Sequence, residues 1–184
     1  VIDQDGNVVT PATFEGNVTY VEDGLEGSVS GWELQTIFPF RVLWDPLDGL
    51  GLIATATFLD GELDDGSRVP GMSDENYSLT LFYEIGGFEV RVAGTKRTEF
   101  LTEVRGGSLA LTEITDQGAT LVDAQISYDF DYRFDGWLGG LSLALQGQNL
   151  TDEDTLITGD DVRLVERYQH FGANYLFTAI YKFW

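Results

Sequence analysis

Asn174-Tyr175-Leu176-Phe177-Thr178-Ala179-Ile180-Tyr181-Lys182-Phe183-Trp184 closes the chain, and its alternation decides the fold. Tyr175, Phe177, Ala179, Tyr181 and Phe183 fall on one side, with Asn174, Leu176, Thr178, Ile180 and Lys182 on the other. A period of two marks a strand whose faces meet different surroundings. The greasier face carries an aromatic at nearly every step and persists to the last residues. Chain ends are usually polar and frayed, so this one reads as a strand that must finish a wall.

Six segments upstream repeat the pattern. Trp32, Leu34, Thr36, Phe38, Phe40 and Val42 alternate with Glu33, Gln35 and Arg41, and Leu52, Ala54, Ala56 and Phe58 with Thr55 and Thr57. Tyr77, Leu79, Leu81, Tyr83 and Ile85 oppose Ser78, Thr80 and Glu84. After Gly86-Gly87, Phe88, Val90 and Val92 oppose Glu89 and Arg91. The longest run places Val122, Ala124, Ile126, Tyr128, Phe130, Tyr132 and Phe134 against Asp123, Gln125, Ser127, Asp129, Asp131 and Arg133. Leu141, Leu143 and Leu145 face away from Ser142, Gln146 and Gln148. Residues 12–21 offer an eighth strand.

Connections alternate in length. Trp44 to Gly49, Gly86-Gly87 and Asp135 to Gly140 are short and carry Pro, Asp-Gly or Gly-Gly turn signals. Those near 60–74, 100–118 and 151–168 are longer and polar. Short turns on one rim and long loops on the other is the plan of a transmembrane β-barrel. Large aromatics near the ends of the apolar faces (Trp32, Tyr77, Tyr83, Phe134, Tyr175, Phe183) read as interfacial girdles. Mid-strand charges such as Glu89, Arg91 and Asp129 read as a wet interior. The fold class is therefore all-β: an antiparallel transmembrane barrel, here a partial one of about 7–8 meandering strands ending at the closing strand.

Composition narrows the partners. Thirty-one acidic residues against ten basic ones give a net charge of −21, which excludes nucleic acid, whose phosphates demand Lys and Arg clusters. With no cysteine, disulfides and thiolate metal sites are ruled out. No window holds the roughly 18 consecutive apolar residues of a membrane helix, which says nothing about strands. Most of the acid sits in the long loops, at Asp60, Glu62, Asp64 and Asp65 and again at Asp152, Glu153, Asp154, Asp160 and Asp161. It solvates them by mutual repulsion, with divalent cations as the alternative reading. The start, Val1-Ile2-Asp3-Gln4-Asp5-Gly6, lacks an initiator Met, a basic region and an apolar run. We expect a piece of a longer protein.

Five motifs in order resemble the C-terminal part of the barrel of TonB-dependent outer-membrane receptors. They are Gly31-Trp32-Glu33-Leu34, Pro46-Leu47-Asp48-Gly49-Leu50-Gly51, Val69-Pro70-Gly71-Met72-Ser73 followed by Asn76, Asn149-Leu150-Thr151-Asp152-Glu153, and Gly172 with Tyr175 and Tyr181-Lys182-Phe183. Two positions depart from the family's pattern. Ala173 stands where Arg often follows the glycine, and Trp184 extends past the usual terminal Phe. The resemblance implies a 22-stranded barrel whose residues 1–184 are the C-terminal segment, with plug, N-terminal strands and TonB-contacting segment upstream. It implies a Gram-negative outer membrane and uptake of a scarce solute of the siderophore, cobalamin or saccharide class, driven by the TonB complex. Neither an enzyme nor a cofactor is expected. Gly172, Tyr175, Phe177, Tyr181 and Phe183 would be the signal read by the barrel-assembly machinery, with outer-membrane lipids, the rest of the barrel and the plug as further partners.

Ligand contacts are expected from the long loops and upper lumen, where Arg68, Arg97, Arg105, Arg163, Arg167 and His170 are able to meet an anionic solute. The plain alternative is loop charges balancing nearby acids. His170 is the only histidine, too solitary for a metal centre. No nucleophile, base and orienter recur as a set. The rival architectures are a complete eight-stranded barrel with a structural or adhesive role, a lipid-modifying membrane enzyme, and a soluble acidic β-sandwich. A closed barrel would pair its first strand with its last; a receptor piece would form an open arc.

Overall fold

The computed structural model describes residues 26–107 and 110–183, with side chains except for those of 103–112. The possible strand at 12–21, the opening Asp3-Gln4-Asp5-Gly6 and Trp184 lie outside the described residues. Eleven strands are described: β1 (Gly27–Pro39), β2 (Leu50–Leu63), β3 (Glu75–Ile85), β4 (Phe88–Arg97), β5 (Phe100–Gly107), β6 (Ala110–Asp116), β7 (Ala119–Asp129), β8 (Leu141–Gln148), β9 (Thr155–Thr158), β10 (Val165–Gln169) and β11 (Asn174–Tyr181). Seven of them form a wall in the order β1-β2-β3-β4-β7-β8-β11, each antiparallel to its neighbour. These are the seven expected from alternation.

Register shows why the alternation matters. Phe38, Leu52, Leu81, Val92, Ala124, Gly147 and Tyr175 form one row across the whole wall. The next row, Pro39, Gly51, Phe82, Arg91, Gln125, Gln146 and Leu176, projects to the other face. That second face is concave: a hollow of about 910 Å³ on it draws residues from all seven strands, including Pro39, Glu84, Glu89, Ser127, Ser142 and Thr178. Polar side chains meet on it, with Gln146 Nε2 donating to Gln125 Oε1 at 2.6 Å and Arg91 beside Glu89 at 3.2 Å. The convex face is greasy and bare. Trp32 is 78% exposed, Phe177 66% and Tyr175 68%. Among the described residues no layer covers it, and water would penalise each exposed apolar side chain. Hydrocarbon would not.

Among the described residues β1 and β11 are open edges that do not pair with each other. The described wall is an open arc, and the eighth strand that a closed small cylinder would need lies at 12–21, outside the described residues. Two expectations about strand ends need correction. The run through Phe134 stops at Asp129, because the Asp129 side chain accepts from the Asp131 backbone N–H at 3.0 Å and bends Phe130–Tyr132 into a 3₁₀ turn. The run through Val42 stops at Pro39 and also passes into a 3₁₀ turn over Phe40–Val42, here without a side-chain cap. In both places the N–H groups three and four residues on converge on one carbonyl: Leu43 and Trp44 donate to Phe40, Arg133 and Phe134 to Phe130. Phe40-x-x-x-Trp44-Asp45 and Phe130-x-x-x-Phe134-Asp135 are the same device at two short turns.

The long connections are also more ordered than their polarity suggests. Strands β10-β9-β6-β5 form a second, four-stranded sheet beyond the wall. The signal was present in Phe100-Leu101-Thr102-Glu103-Val104 and Ala110-Leu111-Thr112-Glu113-Ile114, two β-rich runs flanking Gly106-Gly107. The buried apolar residues are here: Leu101 is 1% exposed and Ile114 3%. The Gly71 N–H reaches the Leu101 carbonyl at 2.6 Å, tying the β2–β3 loop to this sheet.

Candidate functional site: the long-loop rim

Asn149 organises the rim. It takes up a left-handed backbone (φ 50°), which Asn tolerates better than most residues. From there its N–H donates to Asp123 Oδ1 at 2.8 Å, and its Oδ1 accepts from the Glu153 N–H at 2.8 Å. Its Nδ2 donates to the Glu153 carbonyl at 3.0 Å and toward the Gly172 carbonyl at 3.4 Å. Thr151 Oγ1 closes the figure on the Thr120 carbonyl at 3.0 Å. One residue, through its backbone N–H and its side-chain amide, thus ties β7, the loop after β8 and the start of β11 together. The Asn-Leu-Thr-Asp-Glu motif is a structural clamp.

The six basic candidates separate once their neighbours are known. Arg97 is the most engaged: its Nε donates to Ser73 Oγ and its Nη2 to the Gly71 carbonyl, each at 2.6 Å. Its guanidinium carbon also sits 3.6 Å from the Phe100 ring centroid. Ser73 is 2% exposed, so this cation pins the β2–β3 loop over the concave face. Arg68 reaches the Glu99 carbonyl at 3.4 Å and its carboxylate at 3.8 Å. Arg163 forks onto Asp161 with contacts of 2.5–3.1 Å, holding that carboxyl below its ordinary range. Arg105 lies in β5, and its side chain is outside those described. Arg167 is exposed on β10, opposite Ile157, and makes no ion pair among the described residues.

His170 is part of a cluster that sequence alone did not assemble. Its Nδ1 lies 2.6 Å from Asp154 Oδ1, and its Nε2 lies 4.0 Å from Asp152 Oδ1. Tyr168 donates its hydroxyl proton to Asp154 Oδ2 at 2.5 Å. The Asp154 hydrogen bond, then the Asp154 and Asp152 charges, push the imidazole pKa up. The Tyr168 and His170 hydrogen bonds push that of Asp154 down. Among the described residues no group of three His, Cys, Asp or Glu side chains is placed to hold a metal.

Below the rim, a hollow of about 530 Å³ opens on the concave face between Thr57, Asn76, Arg97, Phe100, Asp116 and Leu121. Threonine hydroxyls, the Asn76 amide, the Arg97 cation, the Asp116 carboxylate and the Phe100 ring in its lining suit a polar solute. Gly172 turns the chain into β11 with φ 73°, a conformation that a Cβ would strain. β11 then pairs with β8 along its length. Tyr175, Phe177 and Phe183 stand exposed, and the Tyr181 and Phe183 rings meet edge to face at 4.8 Å.

Comparison with known proteins agrees with this geometry. The family model for "TonB dependent receptor-like, beta-barrel" matches residues 1–150. Among solved structures, the ferric citrate transporter FecA in its unliganded form is similar, with a TM-score of 0.62 at 20% identity. That match takes in 84% of this chain and 24% of the FecA chain, so the chain spans about a quarter of that structure's length. Comparison with curated protein sequences found no match.

Proposed function

The chain belongs to the TonB-dependent receptor β-barrel family, and from that premise we propose that it is the C-terminal wall of an outer-membrane active transporter. Every backbone N–H and C=O in a hydrocarbon layer must be paired, so a seven-stranded arc with two open edges calls for further strands to complete it. The upstream barrel supplies them in this reading, along with a plug in the lumen and a contact to the TonB complex. β11 carries the assembly signal at Gly172, Tyr175, Phe177, Tyr181 and Phe183. The protein resides in a Gram-negative outer membrane and is a transporter, not an enzyme.

One observation carries this reading: the bare aromatic convex face opposite a hydrogen-bonded polar concave one, in register across all seven strands. The solute is scarce and of the siderophore, cobalamin or saccharide class. The relative's cargo, ferric citrate, is anionic, and Arg167, exposed and without an ion pair among the described residues, is the rim cation we assign to such a solute. Arg68, Arg97, Arg105, Arg163 and His170 complete the candidate contacts.

Uptake of labelled ferric chelates, cobalamin and oligosaccharides by cells carrying the full receptor tests the proposal. We expect accumulation of one class that vanishes when TonB is deleted. Accumulation that persists without TonB, or a protein recovered in the aqueous fraction without detergent, overturns it.

A further inference from the structure

We propose that the hollow below the rim binds a neutral oligosaccharide, read by a lattice of hydroxyls on the concave face. This rests on the transporter reading above and narrows its three solute classes to one. The lattice follows from register. Thr57, Asn76 and Arg97 lie side by side on β2, β3 and β4, and Thr55, Ser78 and Thr95 form the row two residues along. Neighbouring strands stand ~4.8 Å apart, close to the length of one pyranose unit. Hydroxyls and an amide thus repeat at a sugar's own spacing within a hollow of about 530 Å³, an ordinary size for a small-molecule site.

Hydrogen-bonding capacity points to a polyol. Each Thr or Ser hydroxyl donates one hydrogen bond and accepts others, as the hydroxyls of a sugar do. Among the described residues the Thr55, Thr57, Ser78 and Thr95 hydroxyls have no protein partner within hydrogen-bond reach, so a solute finds them unspent. The Phe100 ring, with Arg97 over one face, adds an apolar surface against which the C–H side of a sugar ring packs.

Charge sets anionic solutes aside. Two basic residues border the hollow, Arg97 and Lys96. Arg97 has already committed Nε to Ser73 and Nη2 to the Gly71 carbonyl, and Lys96 holds a convex register position. Asp116 brings a carboxylate to the lining, and Glu33 stands at the β1 end of the Thr57 row. On a chain of net charge −21, an anionic chelate entering here meets acid, with the one inward cation engaged elsewhere. An uncharged polyol meets no such penalty.

Isothermal titration calorimetry of the full receptor in detergent tests the site. The probes are linear oligosaccharides of glucose, xylose and N-acetylglucosamine, with ferric citrate and cyanocobalamin as competitors for the assignment. We expect one of the oligosaccharides to bind with an affinity that added salt leaves unchanged, and neither competitor to bind. Thr57→Val together with Thr95→Val keeps the side-chain shape and removes two hydroxyls, so binding should weaken about tenfold. Thr57→Ser together with Thr95→Ser keeps both hydroxyls and should bind as wild type does. Failure of every oligosaccharide to bind overturns the proposal. So does equal affinity in the Val pair, equal loss in the Ser pair, or binding of ferric citrate or cyanocobalamin instead. TonB-dependent uptake of either competitor strikes this site and leaves the transporter reading standing, whereas no TonB-dependent uptake of any probe removes both.

Discussion

His170 and Asp154 show what single side chains do at the rim. The imidazole pKa is raised by its hydrogen bond to Asp154 and by the charges of Asp154 and Asp152. Its contribution is therefore fully present below the ordinary histidine value and is lost as pH rises through the higher folded one. Asp154 is lowered, by Tyr168 first and His170 second, so its contribution is present above the ordinary carboxylate value and lost as pH falls through the folded one. The cluster is fully made between about pH 4 and about 6.5. Amide exchange in 155–170 should be slowest in that window and accelerate on both sides, and His170→Ala should abolish the alkaline limb. Asn149 acts without charge. Replacing it by Ala leaves the Glu153 N–H unpaired and forces Ala into a left-handed backbone, so we expect a loss of about 2 kcal/mol in urea unfolding of the barrel. Wild-type midpoints for Asn149→Ala would refute the clamp.

At the level of the strand, consecutive residues meet opposite solvents. Val92 sits at mid-wall on the convex face, 42% exposed, and Ala93 beside it faces the lumen opposite Asp123. Val92→Arg should cost about 2–4 kcal/mol of folding in lipid vesicles, and Ala93→Arg well under 1. Equal costs would show that both faces meet the same medium. The short turns bear a different demand. Gly49 has φ 87°, its carbonyl accepts from the Glu84 N–H at 2.8 Å, and a Cβ there would overlap the Glu84 carbonyl oxygen. In β11, removing Phe183 together with Trp184 should slow assembly several-fold in vesicle-folding kinetics while leaving the finished barrel's stability nearly unchanged, since Phe183 is 88% exposed and follows the last paired residue.

At the scale of the molecule the described residues form two sheets: a bare wall, and a small sheet beyond it that contains the buried apolar residues Leu101 and Ile114. Three of its four tryptophans bracket the wall. Trp32 stands near the long loops, while Trp44 and Trp137 occupy two short turns and are 64% and 73% exposed. Single-tryptophan variants in bilayers should be quenched weakly by mid-chain bromolipids and strongly by headgroup-level quenchers, with Trp32 reporting the leaflet opposite to Trp44 and Trp137. Strong mid-chain quenching of all three would displace the wall from the bilayer position derived above.

The sequence by itself determined the seven described wall strands, their faces and the alternation of short turns with long loops. Each of these follows from a period of two and from local turn chemistry, as in Tyr175-Leu176-Phe177-Thr178 and Gly86-Gly87. Strand ends were only partly legible, because Asp129 and Phe130 continue the alternation while a hydrogen bond two residues on breaks the strand. The β5–β6 and β9–β10 strands were missed where polar residues mask the pattern, although Gly106-Gly107 marked the hairpin. Only the tertiary structure decided what the charged residues do. Arg97 meets Ser73 and Phe100, and His170 meets Asp154, across separations of many residues that no local pattern encodes. Backbone pairing is periodic and can be read along the chain; side-chain pairing depends on which loops the fold brings together.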